Sequence, residues 1–294
     1  MPLAGELEQR QQIFDALAAV VAESGAVTRA QLSALPVAGT PLRLIDQSRG
    51  IWNPRSMAAT LSVVSSPDGP YADGDVQGGL FRYDYRAGST EGDNSKLRRA
   101  HELRLPIILL RKIDTGVYVP ICPVYVVGDD VASRQFTLAV DESLRFLAHV
   151  DQDSIAERRY AERIALHRLH QAEFRGRVLR AYATRCTVCS LRHGRLLDAA
   201  HIIGDRQIGG EPVVPNGLSL CKIHHAAFDS NLLGISPGYE VRIDTALLDE
   251  VDGPMLQYGL QAMHGRRLEL PERRRDWPDG NRLEQRWAEF GRAS

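Results

Sequence analysis

Lysine is nearly missing from this chain. Lys96, Lys112 and Lys222 are the only ones among 294 residues, so arginine carries almost all the basic charge. Such a bias has two readings. A GC-rich genome codes arginine in place of lysine, or the chain needs the bidentate phosphate contacts that a planar guanidinium makes. A net excess of charge is also missing: the balance is −1 at pH 7, so no whole-protein basic field advertises a nucleic-acid partner. No apolar run approaches the length of a membrane helix, and the start "MPLAGELEQR" has no apolar signal-peptide core. The expectation is a cytoplasmic protein with no membrane partner. Four cysteines in a cytosolic chain of this size do not make a disulfide framework. Internal repeats and low-complexity tracts are absent too. What remains, 44% hydrophobic and 25% charged, is the composition of a soluble globular protein of one large or two ordinary domains.

The pattern along the chain changes in blocks. Residues 1–38 read as a helical extension. "ELEQRQQIFDALAAVVAESG" puts Ile13, Leu17, Val20 and Val21 on one stripe, Gly25 can cap it, and Thr28 can open a second short helix. The pair is either a small helix-turn-helix or a packing extension. Residues 39–150 turn to short strands separated by turn residues: "ATLSVV", "GLFRYDY", "PIILLRKI", "VYVPICPVYVVG" and "QFTLAV", with one helical piece, "DNSKLRRAHELR". "SSPDGPYADGDVQGG" between them is an acidic loop. Residues 151–182 form a basic linker helix. Phe174, Val178 and Tyr182 share one face of it, and ten Arg stand against three Glu between Ile155 and Arg195. Such a helix is a solvated spacer or a DNA-backbone contact. Residues 183–294 complete the chain, with a turn and strand at "GISPGYEVRI".

Metal-binding side chains crowd into one stretch, "RCTVCSLRHGRLLDAAHIIGDRQIGGEPVVPNGLSLCKIHHAAFD". Cys186 and Cys189 form a CxxC, and Cys221 and His224 a CxxH. Two such knuckles make a closed tetrahedral Zn²⁺ site, which fixes a segment too loop-rich to hold itself by burial. Cys122, in "VYVPICPVYVV", suits a β core and is expected to be inert. The zinc set leaves over His201, which lies on or at the end of a strand, Asn216, and His225. His225 is placed on a helix beginning after Asn216-Gly217. From Cys221 the offsets to His224 and His225 lie on roughly the same helix face, so spacing alone does not separate them. Neighbouring helical residues diverge by about 100°, so the two rings do not share one metal easily.

"RVLRAYATRCTVC", "DAAHII", "NGLSLCKIHHAAFD" and "NLLGI" resemble the HNH nuclease domains, or ββα-metal fingers, of modification-dependent restriction enzymes. The resemblance covers roughly residues 174 to 245. It implies His201 as general base, Asn216 as the residue that holds the loop or the base, and His225 as ligand of a catalytic Mg²⁺ or Mn²⁺. Zinc-free relatives keep a His before "xxFD", which matches His225, and leaves His224 for the zinc. The chemistry needs these types: a neutral His removes a proton from water, and a divalent cation offsets the charge developing on the phosphate. Many HNH sites carry an Asp directly before the base, where this chain has Ala200. Asp198 and Asp229 are the candidate substitutes. Asp229, one helical turn beyond His225, is the preferred catalytic-metal ligand.

"GPYADGDVQGGLFRYDYRAGSTEGDNSKLRRAHELRLPIILLRKI" is similar, over about 50 residues, to SRA domains, which bind DNA with a flipped 5-methylcytosine. That similarity implies a modified-base pocket of Tyr71, Tyr83 and an acid at Asp73 or Asp75; the SRA acidic position itself aligns with Gly74. The other reading makes Tyr83 and Tyr85 ordinary strand aromatics.

The expected fold class is thus α+β. A mostly-β SRA-like domain is joined by the helical linker to a zinc-stabilised ββα-metal nuclease domain. The expected function is cleavage of double-stranded DNA carrying 5-methyl- or 5-hydroxymethylcytosine, with dimerisation as one route to double-strand cutting. Two rival readings stand: an HNH nuclease that reads an unmodified sequence or phosphorothioate DNA, and a non-catalytic zinc module. A zinc staple alone has no use for His201, Asn216 and His225 together.

Overall fold

The computed structural model describes residues 3–66, 74–75, 80–85, 91–140 and 155–293. They divide into two compact units, Met1–Val21 with Ala26–Glu173, and Ala22–Gly25 with Phe174–Ser294. The division falls inside the long helix Ile155–Ala181.

The first unit is a curled sheet with a helix against it. Its strands are β1 (Val27–Thr28), β2 (Leu35–Val37), β3 (Thr40–Leu42), β4 (Ile51–Trp52), β5 (Ser62–Ser65), β6 (Gly74–Asp75), β7 (Leu80–Asp84), β8 (Ile107–Asp114), β9 (Val117–Asp130) and β10 (Gln135–Ala139). Among the described residues the order is β4-β5-β8-β9-β10-β7-β6, with β1 also on β9 and β2-β3 a separate hairpin. The first half of β9 pairs with β8 and the second half with β10. Register shifts on both flanks bend the sheet there.

The apolar run "IILL" in β8 reflects its central place. Ile107 and Leu109 face a core with Phe81, Tyr83, Phe136 and Leu138. Ile108 and Leu110 face another core with Ile13, Phe14 and Leu17 of the helix Leu3–Ser24. A strand covered on both faces loses the alternation of a half-buried one. The helix pair of residues 1–38 is thus a packing extension of the β unit. Gly25 takes φ 73, and Thr28 caps Arg29–Ser33 in a reciprocal capping box with Gln31.

Periodicity gives no hint of the polar lock on that helix. Arg10 is fully buried and reaches Glu6 at 2.8 Å, the carbonyls of Thr60 at 2.9 Å and Pro106 at 2.6 Å. Glu6 in turn accepts from the Ala58 amide at 3.0 Å. Arg10→Ala strands Glu6 as a buried charge without its partner and is expected to cost about 3–5 kcal/mol. The double replacement Arg10→Met with Glu6→Leu removes both charges at once and should cost clearly less; urea unfolding of the two variants checks this.

The second unit carries β11 (Leu197–His201), β12 (Gly217–Cys221), the helix Lys222–Asp229, then β13 (Leu233–Ile235) and β14 (Val241–Ile243). β11 and β12 are antiparallel, with His201 opposite Gly217, and β13 pairs with β14. The helix Gly280–Ala293 closes over Gly234, where a Cβ would stand 2.6 Å from the Phe290 ring. "NGLSLC" is therefore a strand, and the helix bearing His225 begins at Lys222, not directly after Gly217. The result is a hairpin followed by a helix, the ββα order.

Candidate functional site

The hairpin is seated on the end of the long helix. Phe174, Val178 and Tyr182, the apolar stripe at helical spacing, are all buried. Phe174 stacks on the His201 ring with centroids 4.1 Å apart and planes at 18°. A Cβ at position 217 would lie 2.4 Å from Val178 Cγ2, which is why the residue after Asn216 has none. Tyr182 donates its hydroxyl to the Gly217 carbonyl at 3.2 Å. Arg175 donates to the carbonyls of Gly194 at 3.0 Å and Leu197 at 3.1 Å, fixing the entry to β11. The last two turns of the supposed spacer helix are thus part of the site's floor. The regular i, i+4, i+8 spacing was the signal available for it.

Asn216 is fully buried and closes the loop between the two strands. Its Oδ1 accepts from the Ile203 amide at 2.9 Å; its Nδ2 donates to the carbonyls of Ile203 at 2.9 Å and Glu211 at 3.1 Å. Three bonds from one amide tie the residue two places after His201 to the far side of the loop. An aspartate, which has no donor, cannot replace it.

Cys186, Cys189, Cys221 and His224 come together so that one ligand atom from each lies within 4.8 Å of all the others. Cys221 Sγ and Cys186 Sγ stand 3.1 and 3.4 Å from His224 Nδ1, and Cys189 Sγ is 4.0 Å from Cys221 Sγ. A zinc ion about 2.3 Å from each sulfur sets S···S edges of about 3.8 Å, so the donor set fits a tetrahedral ion closely. Hydrogen bonds with Cys189 and Cys221, with burial, hold the Cys186 thiol far above its ordinary range. Hydrogen bonds from Cys186 and Cys189 push Cys221 far below it. Burial works to lower His224, but Cys189 and Cys221 outweigh it and raise the imidazole to about 10. A dication held here would accept a lone pair from each of the four. His224 Nε2 lies 2.8 Å from the Gly259 carbonyl, which takes its N–H and leaves Nδ1 for the metal. Cys122 stands apart on β9, its thiol pushed up to about 12 by burial.

His225 points elsewhere. Its Nδ1 is 3.2 Å from Asp198 Oδ2 on β11, and its Nε2 is 3.3 Å from Asp229 Oδ2 one turn along the helix. Asp198 also meets Lys222 Nζ at 2.5 Å through Oδ1. Burial disfavours the charged Asp198, but the bonds from Lys222 and His225 prevail and hold its carboxyl below the usual range. Both acids offered in place of the Asp missing at Ala200 therefore flank His225, on opposite sides of its ring.

Residues 186–236 match the family model of the HNH endonucleases. This segment is an HNH endonuclease domain. The match spans Cys186, Cys189, Cys221 and His224 as well as His201, Asn216 and His225. No curated protein matches the chain. Among solved structures, the chain is similar to a modification-dependent TagI restriction endonuclease at 19% identity, covering 90% of this chain and 92% of that one, with a TM-score of 0.30. It is also similar to the type IV phosphorothioation-dependent restriction endonuclease ScoMcrA at 15% identity, covering 62% of this chain and 48% of that one, with a TM-score of 0.24. The segment that matches the HNH endonuclease family model also contains the Cys₃His group.

The residues named for a base pocket lie in the first unit. Tyr71 and Asp73 fall outside the described residues. Asp75 is in β6, paired with Phe81, two residues before Tyr83 on β7. Tyr83 itself is 3% exposed, packed in the sheet core, with its hydroxyl 3.2 Å from the Gly50 carbonyl. Its ring is a core aromatic; Tyr83→Ala would open a cavity costing about 3–5 kcal/mol, and so reports on folding as much as on binding.

Proposed function

We propose that the chain is a metal-dependent endonuclease in which the first unit selects double-stranded DNA by a modified cytosine and the HNH domain hydrolyses the backbone. The observation that carries the catalytic half is the ββα hairpin. It sets His201 at the end of one strand, Asn216 in the turn just before the next, and His225 between two carboxylates on the helix behind them. His201 takes the proton of the attacking water. Phe174 fixes the plane of its ring, and Asn216 fixes the loop that follows it. His225 and Asp229 are the residues to hold a catalytic Mg²⁺ or Mn²⁺. When bound there, such an ion offsets the charge that develops on the scissile phosphate and the leaving oxygen. Cys186, Cys189, Cys221 and His224 hold a structural Zn²⁺ that keeps hairpin and helix in register.

The reading half rests on the order of features in the sequence from Tyr71 to Leu97, with Tyr71 and an acid at Asp73 or Asp75 as the base-reading residues and Tyr83 packed in the sheet core of the same unit. Extrusion costs a few kcal/mol, and stacking returns about 1–3 kcal/mol per base. A buried methyl group adds about 0.8 kcal/mol, so discrimination by the methyl alone should be a few-fold. Matched duplexes with cytosine, 5-methylcytosine, 5-hydroxymethylcytosine or phosphorothioate linkages should be titrated and digested with and without Mg²⁺. The expected result is tighter binding and faster cutting of the modified-cytosine duplexes, with the preference lost in Asp75→Asn or Asp73→Asn. Equal affinity for all four would remove the base-reading role and leave the nuclease standing; preference for the phosphorothioate duplex alone would move the specificity to the backbone.

A further inference from the structure

Lys222 is one of only three lysines in the chain, and it sits one helical turn before His225. The two do not meet directly. They share the Asp198 carboxylate, Lys222 Nζ at 2.5 Å from Oδ1 and His225 Nδ1 at 3.2 Å from Oδ2. A carboxylate accepts and does not donate, so the contact with Asp198 orients the His225 ring with its Nδ1 proton toward that oxygen. In the neutral ring the lone pair is then on Nε2. That nitrogen is 3.3 Å from Asp229 Oδ2, another acceptor. A divalent cation bound here would be shared by these two acceptors. Two cis ligands of an octahedral ion at about 2.1 Å would lie about 3.0 Å apart, close to the distance found.

Resting on the HNH reading, we propose that Lys222 and Asp198 are a positioning pair for the catalytic metal. Lys222 clamps one oxygen of Asp198; the other oxygen fixes the tautomer and rotation of His225; Nε2 and Asp229 then bind the ion. The two candidate acids have different jobs: Asp229, the one the sequence favours, on the metal, and Asp198 behind the histidine. A carboxylate behind a metal-bound histidine is a general device, and its loss weakens metal affinity by about 10–100-fold. Were Asp198 itself a ligand, Lys222 would compete with the ion for it, and removing the lysine would tighten binding.

The test uses the full chain loaded with zinc, with Mn²⁺ as probe. Free Mn²⁺ is followed by electron paramagnetic resonance in titrations of Lys222→Met, Lys222→Arg, Asp198→Asn and Asp229→Asn, and circular dichroism and zinc content confirm that each is folded. Cleavage of a plain duplex is measured across Mn²⁺ concentrations in parallel. The expected result is an affinity about 10–100-fold weaker in Lys222→Met, largely restored in Lys222→Arg, and equally weak in Asp198→Asn. Cleavage should shift to higher half-saturating Mn²⁺ more than it falls at saturation. Asp229→Asn should remove the Mn²⁺ site. Unchanged or tighter binding in Lys222→Met, or Mn²⁺ kept by Asp229→Asn and lost from Asp198→Asn, overturns the proposal. If the unaltered chain neither binds Mn²⁺ beyond its zinc nor cuts DNA, the HNH reading fails instead.

Discussion

His201→Ala should lose about 10²–10⁴-fold in DNA cleavage, the range of general acid–base catalysis, while keeping its fold, its zinc and its DNA affinity. The backbone on either side of the ring has supports of its own. The pairing of His201 with Gly217 is through the backbone, and the loop after it is held by Asn216. Truncation leaves a gap over Phe174, which loses a stacking partner and not its place in the core. Affinity for DNA comes largely from phosphate contacts, which a base acting on water does not make. Single-turnover nicking at saturating Mg²⁺, with binding and zinc content measured on the same preparation, separates these quantities. Undiminished cleavage would sink the mechanism.

The largest effect on stability should come from Cys186→Ala or Cys221→Ala, which ought to leave the HNH unit unfolded or insoluble. Structural zinc contributes about 10–16 kcal/mol of apparent binding energy near neutral pH, as much as the whole stability of an ordinary domain. Cys186 and Cys221 are both buried, in the same core as Leu197, Leu220 and Phe228, so the ligands and the packing fail together. By contrast His225→Ala should fold like the unaltered chain and retain one zinc per chain, because its ring faces Asp198 and Asp229. Metal analysis and thermal unfolding of His224→Ala and His225→Ala decide the assignment. Zinc lost from His225→Ala and kept in His224→Ala would reverse it.

Sequence was informative where the chemistry is local. The two knuckles, the ββα order and the Thr28 cap all rest on spacings of a few residues, and spacing is what a sequence displays. The distant partnerships were not readable. Arg10 meets carbonyls 50 and 96 positions away. Phe174 and His201 are joined only by the return of the chain, and Asp198 meets Lys222 and His225 only once β11 and β12 have paired. Reading "NGLSLC" as the start of a helix failed for a related reason. Leu218, Leu220 and Cys221 suit either period, and the antiparallel partner β11 settles the matter in favour of a strand. Tyr83 looked like a recognition residue because aromatics in strands serve both packing and stacking, and only burial distinguishes the two.

His224 and His225 are consecutive residues of one short helix, yet one faces thiols and the other two acids. The consequence is a chemical vulnerability. Thiolates are the groups that oxidants attack first, and a sulfur converted to sulfenate or locked in a disulfide no longer holds its metal. If these four hold zinc as proposed, its release frees the helix to turn, and the next residue along is His225, the proposed ligand of the catalytic metal. Peroxide would thus silence the nuclease without touching any group that contacts the phosphate, and thiol reductant with fresh zinc would restore it.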